Sequence, residues 1–198
     1  MAPTFAIPKK LSDKKRVIID HKHIVPVIGK EGPELPQWYS ANSFLSKEAA
    51  PVRFPKIRQF LSYIRAMRAF LPDTCHLFAS VWDLTGAYHQ VCICMIDSPL
   101  TMFSHRGTTY ASSVPDFGGK LSPGRFGIYT ETAMQMVQSL FGPNGKLRPK
   151  EGAPVIFAQA MLDDFFILYA YCGSTEQAER RARITERAVR GFLETLGF

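Results

Sequence analysis

The sequence predicts an α+β fold in which an antiparallel sheet is backed by helices. Three observations predict it. Two apolar runs end on or enclose carboxylates: residues 77–84 with Asp83, and Ala160-Met161-Leu162-Asp163-Asp164-Phe165-Phe166-Ile167-Leu168. Phe, Ile and Tyr beyond Asp164 favour a buried strand. Strand–turn–strand patterns recur near the N-terminus and over 101–111, and such hairpins make antiparallel pairs. Helical segments are expected at 56–70, 124–140 and about 175–196, the first and last with an apolar face and a basic one.

At 198 residues the chain suits one domain, or one with a sub-lobe, and buries a real core. A hydrophobic share of 46% and a charged share of 21% describe a soluble globular protein. Lys and Arg outnumber Asp and Glu by 24 to 17, a formal charge of +7. That excess suits a polyanionic partner without identifying one. Cys75, Cys92, Cys94 and Cys172 contain no Cys-x-x-Cys pair, and Cys92-x-Cys94 sits in an apolar, strand-like run. The expectation is buried free thiols in a reducing compartment rather than zinc. No secretory signal or apolar stretch of about twenty residues is evident, so the expectation is an intracellular protein, cytoplasmic or nuclear, without a membrane partner.

In chain order, Phe5-Ala6-Ile7-Pro8-Lys9-Lys10 and Arg16-Val17-Ile18-Ile19-Asp20 flank a polar turn, with Lys9, Lys10, Lys14, Lys15 and Arg16 crowding its tip. A basic hairpin of this kind either closes over a phosphate chain or is an ordinary solvated turn. Residues 29–55, rich in Gly, Pro, Ser and Asn, read as an irregular loop or insertion. The helix at 56–70 has Ile57, Phe60, Leu61 and Ile64 on an apolar face and basic residues elsewhere, the pattern of a core-packed helix with a solvated side. After the 77–84 strand, Thr85-Gly86-Ala87-Tyr88-His89-Gln90 reads as a turn or short helix. The 101–111 hairpin turns at His105-Arg106-Gly107. Phe117-Gly118-Gly119-Lys120-Leu121-Ser122-Pro123 is a glycine-rich loop, and Pro123 starts the following helix well. Ser174-x-x-Gln177 fits a capping box. The last helix is expected to turn Ala178, Ile184, Ala188 and Phe192 inward. Asp163 and Asp164 fit the tip of a hairpin, either as a solvated turn or as a pair that holds a divalent cation through oxygen ligands.

Taken together, the motifs resemble the reverse transcriptase family over nearly the whole chain. The basic hairpin looks like the family's fingers hairpin, which implies that Lys9 and Arg16 contact the incoming triphosphate. Asp83-Leu84-Thr85-Gly86-Ala87-Tyr88-His89-Gln90-Val91 looks like its first catalytic motif. Asp83 is then a metal ligand, Leu84 offers its backbone carbonyl, and Tyr88 is the gate that clashes with a ribose 2′-hydroxyl. Phe117, Gly118 and Lys120 resemble the loop that lines the nascent base pair. Leu162-Asp163-Asp164 resembles the paired-aspartate motif, and Leu193-Glu194-Thr195-Leu196-Gly197-Phe198 the end of the helix after it. The likeness implies a right-hand polymerase palm carrying Asp83, Asp163 and Asp164 as catalytic, metal-binding residues for two Mg²⁺ ions, with Mn²⁺ as a substitute.

The implied arrangement is a partial fingers region over 1–76, with an irregular insertion at about 24–54. The palm follows over 77–198, with a finger-like excursion at about 97–125. No thumb or primer grip is expected, as in a fingers-and-palm fragment of a retroelement polyprotein. The implied partners are an RNA template, a DNA or RNA primer and deoxynucleoside triphosphates. Two positions depart from the family pattern: Met161 replaces the usual aromatic before x-Asp-Asp, and Asp116 intrudes between Pro115 and Phe117. Two rival readings remain beside it, an RNA-dependent RNA polymerase and a non-catalytic nucleic-acid-binding relic.

Overall fold

The computed structural model describes residues 4–8, 15–19, 25–27, 37–39, 48, 57–84, 87–94, 96, 101–115, 119 and 122–198. Two compact units divide the chain, one of Met1–Val52 with Tyr88–Phe126 and one of Arg53–Ala87 with Gly127–Phe198.

The first unit is built from hairpins. Strands β1 (Thr4–Pro8) and β2 (Lys15–Ile19) pair antiparallel, with Ile7 opposite Arg16. Strands β3 (Val25–Val27) and β4 (Gln37–Tyr39) form a second antiparallel pair inside the stretch expected to be irregular. At three residues each they are too short to register as periodicity, which is why the loop reading missed them. After helix α1 (Ile57–Phe70) and strand β5 (Cys75–Asp83), which belong to the second unit, β6 (Met102–His105) and β7 (Thr108–Ala111) make the third pair. Arg106 (φ 51°) and Gly107 (φ 78°) both take left-handed backbone, the turn geometry whose twist suits a two-residue hairpin. Phe103 stacks on its cross-strand partner Tyr110 with ring centroids 5.5 Å apart. The apolar run at Val91 is a correction. Residues 91–94 form no strand, and Cys92 and Cys94 are exposed rather than buried. An apolar run becomes a strand only where another strand completes its hydrogen bonds. Here, among the described residues, the Ile93 N–H is answered by the Ser113 carbonyl at 2.8 Å, a link outside any ladder.

The second unit holds a three-stranded antiparallel sheet in the order β5 (Cys75–Asp83), β9 (Asp164–Cys172), β8 (Val155–Met161). Alternation along β9 sorts its residues between two faces. Phe165, Ile167 and Tyr169 are fully buried against α2 (Ser122–Phe141) and α3 (Thr175–Thr195), in a core with Met134, Val137, Phe141, Val189 and Leu193. Each such side chain contributes about 1.5–3 kcal/mol. On the other face, α1 (Ile57–Phe70) reaches the sheet through Phe60, 5.7 Å from Phe157 and 5.5 Å from Phe166. The rest of α1 is open enough that Phe70 is 85% exposed. A bulge at Ile156 interrupts β8, and the Tyr63 hydroxyl donates to the Ile156 carbonyl at 2.6 Å.

Helix α3 begins at Ser174, whose hydroxyl accepts the Gln177 N–H at 3.3 Å, as its capping sequence predicts. Its inward stripe differs from expectation. Ala178, Ala182, Thr185, Val189 and Leu193 are buried, while Ile184, Ala188 and Phe192 flank them half-buried. The centre of the stripe is displaced by one residue because Thr185, polar by type, is satisfied inside. Its hydroxyl donates to the Ala153 carbonyl at 2.7 Å. Gly152 passes so near Thr185 Oγ1 that no side chain fits there. Among the described residues, no helix is long and apolar enough to cross a membrane.

Candidate functional site

The end of the sheet near the β8–β9 turn gathers the acidic residues. Asp83 is the last residue of β5 and Asp164 the first of β9, and the two stand directly opposite each other. Just past that pair the Leu84 N–H donates to the Asp163 carbonyl at 2.9 Å, and beyond the other end of the ladder Gly173 donates to Thr74 at 3.1 Å. In an antiparallel ladder, pairs with and without mutual hydrogen bonds alternate. The odd-numbered residues of β5 therefore occupy the pairs without them, where side chains approach most closely, at a Cα separation of about 4.5 Å. Met161 pairs with Asp164 from the other side, so Met161, Asp164 and Asp83 make one row across the three strands.

Their neighbours in sequence hold them outward. Trp82 donates its indole N–H to Glu186 of α3 at 3.2 Å, and the Arg190 guanidinium lies over its ring at 5.7 Å. Ser80 donates to the same carboxylate at 3.0 Å. Phe165 is sealed in the core edge-on to Phe198, which stacks on Tyr129 at 4.6 Å. With Trp82 and Phe165 anchored on the covered face, Asp83 and Asp164 necessarily point to the open one. Asp83 is exposed, and Asp163 and Asp164 are half-buried.

The turn between β8 and β9 consists of Leu162 and Asp163 alone. Leu162 has φ +57°, a conformation that costs a bulky residue about 1–3 kcal/mol. The hydrogen bond from the Leu84 N–H to the carbonyl of the next residue, Asp163, helps hold the turn. Sequence reading passed over Leu162 as a strained residue because a leucine gives no sign of left-handed backbone, which Gly or Asn would. The Asp164 carboxyl is held above its ordinary range, first by burial, then by the negative charges of Asp163 and Asp83. A carboxyl whose charge is disfavoured beside two other carboxylates favours a cation next to it, and hard oxygen donors suit Mg²⁺. The fit is one of chemistry and position. Among the described residues, no three His, Cys, Asp or Glu side chains already converge as a ligand set.

Of the other expected site residues, Lys9, Phe117, Gly118 and Lys120 lie outside the described residues. Arg16 sits in β2 and Tyr88 in the short 3₁₀ turn Ala87–Gln90, and both side chains are outside what is described. Leu84 is placed, with its N–H engaged by Asp163.

No family model matches this sequence, and no curated protein is a significant match. Solved structures do resemble it. The foamy viral protease–reverse transcriptase in complex with double-stranded DNA superposes with a TM-score of 0.50 at 16% identity, over 98% of this chain and 25% of that one. A mutant of the prototype foamy virus protease–reverse transcriptase gives 0.52 at 13% identity, over 96% and 19%. The fold is reverse-transcriptase-like. At such identities the likeness extends to the fold alone, and this chain spans a quarter or less of the length of those proteins.

Proposed function

We propose that this chain is a fingers-and-palm portion of a retroelement RNA-directed DNA polymerase, which adds deoxynucleotides to a primer 3′ end on an RNA template. The observation that carries the reading is the opposed pair Asp83 and Asp164, with Asp163 in the adjoining turn, at the open edge of a reverse-transcriptase-like sheet. In this reading Asp83, Asp163 and Asp164 hold two Mg²⁺ ions. Bound there, the ions make the primer hydroxyl a better nucleophile and neutralise charge on the leaving pyrophosphate. Lys9 and Arg16 neutralise the triphosphate, Tyr88 excludes a 2′-hydroxyl, and Phe117, Gly118 and Lys120 line the base-pair pocket. Leu84 offers its carbonyl beside Asp83. Met161, paired with Asp164, forms the floor beneath the primer end.

Primer extension on an RNA template with deoxynucleotides and Mg²⁺ tests the reading. Asp163→Asn is expected to abolish synthesis while keeping the native thermal transition; synthesis retained in a clean preparation would refute the assignment. Tyr88→Ala is expected to admit ribonucleotides; unchanged sugar selection removes the argument against an RNA-dependent RNA polymerase. A non-catalytic nucleic-acid-binding role is the second reading, suited by the chain's formal charge of +7. Salt-dependent RNA binding with no synthesis by the wild type selects it.

A further inference from the structure

The ladder that ends at Asp83 and Asp164 begins, eight pairs away along β5, at Cys75 and Cys172. These cysteines are directly opposed, and they occupy the same kind of pair as the aspartates, without mutual hydrogen bonds. The Cα separation of about 4.5 Å in such a pair falls within the range a disulfide spans, about 4.4–6.8 Å. Burial, the Cys172 thiol and its charge push Cys75 up to about 11, against the opposing influence of Arg68, whose guanidinium donates to the Cys75 carbonyl at 2.7 Å. Access is unequal: Cys75 is 2% exposed, whereas Cys172 is exposed and both thiols are free.

We propose that Cys75 and Cys172 are a redox-modification site, closing a reversible cross-strand disulfide through exchange with a small disulfide oxidant such as glutathione disulfide. Cys172, the accessible thiol, attacks as thiolate; one glutathione thiolate leaves and a mixed disulfide remains on Cys172. The Cys75 sulfur then attacks the Cys172 sulfur, forming the protein S–S bond and expelling the second glutathione, which takes up the Cys75 proton. The protein loses two electrons and two protons, and glutathione disulfide gains them. The bridge encloses a loop of about a hundred residues and ties the edge strand β5 to the central strand β9 at the end remote from the aspartates.

The test uses the full chain carrying Cys92→Ser and Cys94→Ser, since those exposed thiols react independently. It is incubated with glutathione disulfide, alkylated and mapped by peptide mass. The expected result is a Cys75–Cys172 linked peptide, a Tm rise of roughly 5–10 °C, and reversal of both by dithiothreitol. Adding Cys75→Ser is expected to stop the reaction at a glutathione adduct on Cys172. A stable Cys172 adduct with Cys75 still alkylatable in the parent protein, or no modification of Cys172, overturns the proposal.

Discussion

On one face of the sheet Phe165, Ile167 and Tyr169 are sealed beneath α2 and α3, whereas on the other Val81 is 59% exposed and Asp83 is open to solvent. The same strands supply both faces, one residue apart. The α1 face buries Cys75, Leu168 and Ala170 further along, but at Val81 and Asp83 it is left uncovered, and there it is free to carry charges that folding alone does not favour. The difference teaches that the acidic row is a cost tolerated by a core built behind it.

The contrast can be broken most severely from the covered side. Phe165→Ala leaves a cavity beside Phe198 and is expected to cost about 3–5 kcal/mol in urea unfolding. A loss under about 1 kcal/mol would mean that the core does not rest on this residue. Thr185→Val keeps the shape but strands the Ala153 carbonyl, with an expected loss of about 1–3 kcal/mol by the same measurement.

Asp164→Asn sharpens the contrast with the opposite sign. A carboxyl whose folded pKa is raised holds its proton more firmly when folded. Its charge therefore destabilises the fold fully above that raised pKa, and the penalty disappears below the ordinary 3.8. Thermal scans are expected to show Asp164→Asn melting about 2 °C above wild type at pH 7, with the advantage gone in acid. A variant that melts lower at pH 7 contradicts the crowding of carboxylates. Smallest of all, Val81→Thr should change unfolding free energy by less than about 0.5 kcal/mol.

Much of this was legible in the residues. Local pattern placed the hairpins at 4–19 and 101–111, the acidic strands, the long helices and the Ser174 cap, because each signal lies within a few neighbouring positions. What it missed depends on distant partners. Val91 to Cys94 look strand-like but find no ladder, and Thr185 enters the core only because Ala153 accepts its proton. The opposition of Asp83 and Asp164 is a register, set by pairing across about eighty residues, and no local window contains it. Leu162 gave no warning of its left-handed backbone, since glycine or asparagine would have been expected there.

The bulge at Ile156 has an arithmetic effect on this edge. Counted by strict alternation from buried Val155, Met161 would share its parity and turn inward. The extra residue shifts the phase, so that Ala158 and Ala160 go inside and Met161 comes out beside Asp164. Tyr63, 93 positions earlier in the chain, answers the carbonyl at that added step. Helix α1 thereby helps keep count for a strand whose last residue decides what adjoins the acids.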